Sequence, residues 1–148
     1  MPRVTGLGHV GIYVEDLAKM AEFYSGFLGM TISDRSEEDG IVFLSARPED
    51  EHHELVLFKD PTRHSDAQQV SFTVGSLADL RAFHAQIKAN GYPVDMVVSH
   101  GNAIGCYFSD PEGNRIEVYW KTGIAWPQPY LKGIDLDLQE DELLALLP

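Results

Sequence analysis

Four side chains able to donate nitrogen or oxygen to a cation occupy related positions in this chain: His9, Glu54, Gln69 and Glu117. Imidazole, carboxylate and amide oxygen together suit a hard or borderline divalent ion such as Fe(II), Mn(II), Ni(II) or Zn(II). Glu117 makes the sharpest case, because it sits between Ile116 and Val118 in an apolar run. A carboxylate buried in such a run is costly unless it is paired or binds a metal. The others are open to plainer roles. His9 also reads as a satisfied structural histidine, and Gln68 competes with Gln69.

What relates these positions is an internal repeat. Gly8 to Leu17 can be laid over Gln68 to Leu77 at an offset of sixty residues without a gap. The match carries onward, Ala18 meeting Ala78, Met20 meeting Leu80 and Phe23 meeting Phe83. By that offset Gln69 takes the place of His9. His53-Glu54-Leu55-Val56 likewise resembles Ile116-Glu117-Val118-Tyr119, which makes Glu54 and Glu117 partners.

Each copy opens with residues alternating at period two, the pattern of a strand. A helix follows, capped by Asp16 in the first copy and Ser76 in the second. Leu17, Met20, Phe23, Tyr24 and Phe27 form one apolar stripe, and Leu77, Leu80, Phe83, His84 and Ile87 the other. Leu28-Gly29 and Asn90-Gly91 supply the helix ends. Three strands are then predicted per copy: Met30 to Asp34, Gly40 to Ser45 and His53 to Phe58, then Val94 to Val98, Ala103 to Ser109 and Arg115 to Trp120. The last two flank Asp110-Pro111-Glu112-Gly113-Asn114, a tight turn by composition.

The expected fold is therefore α+β, two repeated βαβββ modules forming a half-open mixed β-barrel, with a divalent metal held between them. The modules span residues 1–60 and 61–122, and 123–148 is a tail. The proline-rich stretch Trp126 to Tyr130 is expected to lie over the body, with Trp120 and these two aromatics covering core or walling a cavity. A short helix is predicted over Gln139 to Leu147. Its leucines either cover the body or meet a second subunit.

Composition narrows the partners. A formal net charge of −12 and scattered basic residues predict no nucleic acid partner. No apolar stretch reaches the roughly 20 residues of a membrane helix, so no membrane partner is expected. The opening Met-Pro-Arg-Val-Thr-Gly carries no apolar signal core, and Cys106 is the single cysteine. Both point to a cytoplasmic protein.

Gly8-His9-Val10-Gly11-Ile12-Tyr13-Val14 with Asp16-Leu17, Phe23-Tyr24 and Leu28-Gly29-Met30 resembles the first module of vicinal-oxygen-chelate proteins. Tyr107 to Glu117 resembles the closing hairpin of that superfamily, and especially of type I extradiol ring-cleaving dioxygenases. The resemblance covers roughly Thr5 to Trp120. Glyoxalase I, fosfomycin-resistance transferases, methylmalonyl-CoA epimerase and bleomycin-binding proteins share the scaffold.

The resemblance implies an Fe(II)-dependent dioxygenase acting on a catechol-like aromatic diol, within a homodimer in many members. His9 matches the first iron ligand and Glu117 the carboxylate, whereas Gln69 stands where these dioxygenases carry a second histidine. His53 matches the acid–base histidine, and Tyr107, ten residues before Glu117, the substrate-orienting tyrosine. His100 matches a further active-site histidine. Plainer roles stay open: His52-His53 as exposed loop residues and Tyr107 as hairpin packing. His64 reads as a surface residue and His84 as one at the core margin. Strand alternation also sets His53 and Glu54 on opposite faces unless a bend or bulge begins that strand. Two other functions fit the scaffold. One is a glyoxalase- or epimerase-type lyase or isomerase using Glu54 and Glu117 as ligand and base. The other is a non-catalytic small-molecule binding or resistance protein.

Overall fold

Both helix starts form as their capping residues dictate. The carboxylate of Asp16 accepts the Lys19 amide at 3.0 Å, and the Ser76 hydroxyl accepts the Asp79 amide at 3.0 Å. The computed structural model describes residues 8–62, 69–127 and 130–147. His64, Gln68, Gln128 and Pro129 lie outside the described residues. The chain divides into two units, Met1–Asp66 and Ala67–Pro148.

The first unit runs β1 (Val10–Val14), α1 (Leu17–Glu22), a π-helical turn (Phe23–Phe27), β2 (Thr31–Ser36), β3 (Ile41–Ser45) and β4 (Leu55–Lys59). Its sheet has the order β1-β4-β3-β2, with β1 parallel to β4 and the other pairs antiparallel. The second unit runs β5 (Val70–Val74), α2 (Leu77–Ala89), β6 (Val94–Ser99), β7 (Ala103–Ser109) and β8 (Arg115–Lys121). The tail adds β9 (Lys132–Gly133) and α3 (Glu140–Ala145). That sheet has the order β5-β8-β7-β6-β9, and β5 is parallel to β8. The α+β architecture of two mixed, open sheets built on βαβββ repeats is as the sequence predicts.

The copies agree even in a flaw. Register slips between Ile32 and Asp34 in the first unit and between Val94 and Met96 in the second. Each slip is a bulge in the strand after the helix, which bends that edge of the sheet.

In each unit one sheet face carries the core. Ile12, Val14, Leu44 and Leu57 are buried in the first, as are Met20 and Tyr24 of the helical segment. Ile104, Phe108, Ile116 and Val118 are buried in the second with Leu77, Leu80 and Ile87 of α2. Full burial of each such side chain contributes about 1.5–3 kcal/mol. Among the described residues no helix is long and apolar enough to cross a membrane.

Four local features depart from expectation. The first helix is not continuous: after Glu22 it widens, and the Leu28 amide donates to Phe23 O, five residues back. Ser25 accounts for this, because its hydroxyl donates to Ala21 O at 2.7 Å and Gly26 offers no side chain to resist. The strand predicted from His53 begins at Leu55, after a bend. The tail contributes the unforeseen strand β9, paired with β6 through Val98–Gly133 and Ser99–Lys132. Of the tail leucines, Leu143 is buried while Leu144 and Leu146 are exposed.

The turn between β7 and β8 fixes the register that matters most. Asp110 Oδ1 accepts the amides of Glu112 and Asn114, and its Oδ2 accepts Asn114 Nδ2 at 2.8 Å. Gly113 takes φ +87°, where a β-carbon would be strained. The outcome is Tyr107 opposite Glu117 and Ser109 opposite Arg115.

His84, expected at the core margin, is buried on α2, with Nδ1 3.5 Å from Asp137 Oδ1. Burial lowers its pKa from 6.5, Asp137 opposing and Lys88 assisting the shift. The unfolded chain therefore binds a proton there at a pH where the native chain resists it, so stability falls as pH drops through about 6.5. His84→Gln is expected to flatten the urea-midpoint profile between about pH 7 and 5.5 relative to wild type. Equal slopes for the two proteins would discount the histidine.

Candidate functional site

Alternation along β1 turns Ile12 and Val14 into the core and leaves His9, Gly11 and Tyr13 on the opposite face. His9 is exposed at the start of that strand and packs against His53, with ring centroids 4.4 Å apart and the rings tilted by 49°. Phe43 backs the His53 ring at 5.0 Å. His52 Nδ1 lies 2.9 Å from His53 Nδ1, so one of the two nitrogens must carry the proton. Burial, His9 and His52 all push the His53 pKa below 6.5, the first being the largest cause. At neutral pH the ring is thus a neutral base.

The bend before β4 resolves the parity conflict between His53 and Glu54. His53 joins His9, while the Glu54 carboxylate turns to the β3–β4 connection. There Glu54 Oε2 accepts the Ala46 amide at 2.9 Å, and Oε1 accepts Arg47 Nε at 3.0 Å. Both carboxylate oxygens are engaged by protein groups.

In the second unit Gln69, Ser71, Tyr107, Arg115 and Glu117 share the face away from α2, by register and alternation. Glu117 is only 8% exposed. Its Oε2 accepts Ser71 Oγ at 2.6 Å and Gln69 Nε2 at 3.0 Å. Both of these donors are neutral. Burial, and after it the nearby Glu117 carboxylate, hold the Tyr107 phenol above its ordinary pKa. The carboxylate fits beside Tyr107 because residue 105 is glycine: a β-carbon there would stand 2.5 Å from Glu117 Oε1.

His100 completes the cluster. Its Nδ1 lies 3.0 Å from Tyr130 O, and its Nε2 lies 3.0 Å from the Tyr107 hydroxyl. A carbonyl only accepts, so Nδ1 carries a proton and Nε2 is left to face the phenol. The Tyr107 hydroxyl is then placed to donate to His100, with the Glu117 carboxylate on the same sheet face.

The residues singled out from sequence thus form two groups, His9 with His53 in the first unit and His100, Tyr107, Gln69 and Glu117 in the second. Glu54 joins neither. Among the described residues, no three His, Cys, Asp or Glu side chains gather into a cluster that would hold a metal. As single donors, Glu117 fits a cation well, being a buried carboxylate satisfied by neutral groups alone. His9 fits as an exposed imidazole. Gln69 binds Glu117 through its Nε2, which leaves the oxygen of the amide for a cation. Glu54, held by Arg47, does not fit.

Sequence reasoning missed Ser71, Gly105 and Arg115. Each lies two residues from a residue it did select, Gln69, Tyr107 and Glu117 in turn, and strand alternation alone would have found them. A groove of about 520 Å³ in the first unit, reaching from Asp16, Ala21 and Glu22 to Arg35, Val42 and Lys59, contains none of the selected residues.

Comparison with known proteins accords with this arrangement. The model of the Glyoxalase/Bleomycin resistance protein/Dioxygenase superfamily matches residues 6–118. Biphenyl-2,3-diol 1,2-dioxygenase 3 of Rhodococcus globerulus is 28% identical over 120 residues, 76% of this chain and 61% of that protein. The chain therefore spans about three fifths of the length of that relative. Among solved structures, lactoylglutathione lyase from Agrobacterium tumefaciens aligns with a TM-score of 0.63 at 18% identity, covering 80% of this chain and 96% of the other. A glyoxalase/dioxygenase from Nostoc punctiforme aligns with a TM-score of 0.62 at 18% identity, covering 79% and 91%. At those identities the likeness is one of fold. With its repeated modules and the family match over 6–118, this chain belongs to the glyoxalase/bleomycin resistance/dioxygenase superfamily.

Proposed function

We propose that the protein is a metal-dependent, extradiol-type dioxygenase that cleaves the ring of a catechol-like aromatic diol with O₂. The observation that carries this reading is the Tyr107 phenol, paired with His100 on the same sheet face as the buried Glu117 carboxylate. His9, Gln69 and Glu117 are the proposed ligands, and Fe(II) is the proposed ion. When bound, Fe(II) supplies a Lewis-acidic, redox-active centre for the diol and O₂. Tyr107 orients a diol oxygen through its hydroxyl, with His100 fixing the hydroxyl's direction. His53, neutral and next to His9, takes a diol proton on a ring nitrogen and later returns it. Glu54 stays with Arg47 and steadies the bend that presents His53.

The similarity to a biphenyl-2,3-diol dioxygenase supports an aromatic diol as the substrate class. A lyase or isomerase reading would need Glu54 as ligand or base, and its two oxygens are already engaged. A resistance or binding role would need no paired histidine and phenol beside a buried carboxylate. Anaerobic reconstitution with Fe(II), followed by a catechol panel and O₂, is expected to give yellow ring-cleavage products containing both oxygen atoms of O₂. Turnover of a hemithioacetal without O₂ would favour the lyase, and ligand binding without turnover the binding protein.

A further inference from the structure

Among the described residues the arginines are paired, with one exception. Arg35 approaches Glu37 at 4.0 Å, Arg47 bonds Glu54 at 3.0 Å, and Arg81 donates to the carbonyls of Leu136 and Leu138. Arg115, the remaining described arginine, has no hydrogen-bond or ion-pair partner. Its Nε is buried and unsatisfied. Its guanidinium contact is the ring of Tyr107, 5.0 Å from the centroid. The chain carries 23 acidic residues, so a lack of carboxylates does not explain the vacancy.

Arg115 is half-buried, and burying its Nε–H without a partner costs free energy that a purely structural residue has no reason to bear. Alternation adds meaning to its place. Arg115 lies two residues before Glu117 on β8 and so shares its sheet face, and the guanidinium covers the phenol assigned to diol orientation. The hydroxyl of Tyr107 meets His100, and the ring itself meets the cation. A ligand oriented by that hydroxyl therefore has a fixed positive charge within the span of one aromatic ring.

We infer that Arg115 receives a carboxylate carried by the substrate, so that the preferred diol is an aromatic acid rather than a neutral catechol. The planar fork of donors on arginine matches a carboxylate with two parallel hydrogen bonds. The inference rests on the diol reading for the ring and on Arg115 alone for the charge. The diol's own phenolate is a second source of anionic oxygen, and the probes separate the two.

Calorimetric titration of the whole 148-residue chain with Fe(II) under argon tests this. The probes are 3,4-dihydroxybenzoate, its neutral isostere 3,4-dihydroxybenzamide, catechol and benzoate. The acid is expected to bind tighter than the amide by on the order of ten- to a hundredfold, the range of a charged hydrogen-bonded contact. Arg115→Met should reduce that ratio to near unity while leaving amide and catechol affinity intact, and Arg115→Lys should restore part of it. Thermal midpoints of both variants establish that they are folded.

Equal binding of acid and amide by wild type overturns the inference, as does a preference that survives Arg115→Met. Amide affinity that falls with acid affinity assigns the arginine to the phenolate and also overturns it. Should benzoate bind through Arg115 while no diol does, the diol reading fails and the carboxylate subsite stands. Diol binding without charge preference gives the converse. No binding of any probe overturns both.

Discussion

Glu117→Gln is expected to leave the metal-free protein at least as stable as wild type while abolishing metal retention and ring cleavage. The carboxylate is buried and accepts from Ser71 Oγ and Gln69 Nε2, both neutral groups. Arg115, on the same sheet face, does not pair with it. An ion held this way bears a desolvation cost of several kcal/mol that no counter-charge offsets. A neutral amide of nearly equal shape keeps an acceptor for Ser71 and relieves that cost. The expected gain is about 0–2 kcal/mol in urea unfolding with chelator present. Chelator matters, because bound metal would stabilise wild type selectively by mass action. Metal affinity should drop by more than about a hundredfold, beyond what outer-sphere changes produce. A metal-free variant weakened by more than about 2 kcal/mol would instead make the carboxylate a structural group.

His53→Gln is the second large effect expected, a fall in kcat of about 10²–10⁴ with metal content unchanged. The ring sits 4.4 Å from His9 and 5.0 Å from Phe43, and its pKa is lowered, so it enters the reaction as a base. Glutamine keeps a polar side chain of similar reach but neither takes nor returns a proton. His52→Gln serves as the control, since the His52 side chain is 58% exposed and flanks the same bend. A kcat within threefold of wild type for His53→Gln would falsify the acid–base role and leave His53 as a loop residue. Single-turnover measurements locate the loss at the chemical step.

Much of this was legible from the sequence because period-two alternation and the sixty-residue offset carry physical content. The alternation in Val10 to Val14 orients His9, and the offset pairs the two first strands. The turn chemistry of Asp110 to Asn114 fixes the hairpin to the residue, which is why Tyr107 and Glu117 stand opposite each other. What resisted reading was side-chain direction outside regular strands. His53 and Glu54 precede β4, where alternation no longer applies, and only the bonds of Glu54 to Ala46 and Arg47 decide which residue turns where. The π-helical turn depends on one Ser25 hydroxyl, a contact too local for helical periodicity to register. Gln69 was legible as a donor site but not as a hydrogen-bond donor to Glu117, since a sequence does not say which end of an amide faces its neighbour. Arg115 lies inside the turn-and-strand motif, and sequence alone does not say that its Nε is buried against Tyr107.

The parallel pairing of each unit's first strand with its last has a kinetic corollary. β1 joins β4 and β5 joins β8, so the Gln69–Glu117 contact closes over 48 residues of chain. Long-range closures are made late, because their entropy must be met before any neighbour rewards them. During synthesis the first strand of each half waits, unzipped, until the ribosome has delivered the fourth. The chemistry-bearing residues therefore assemble last, and an intermediate can hold its helix and hairpins while the reactive groups remain strangers.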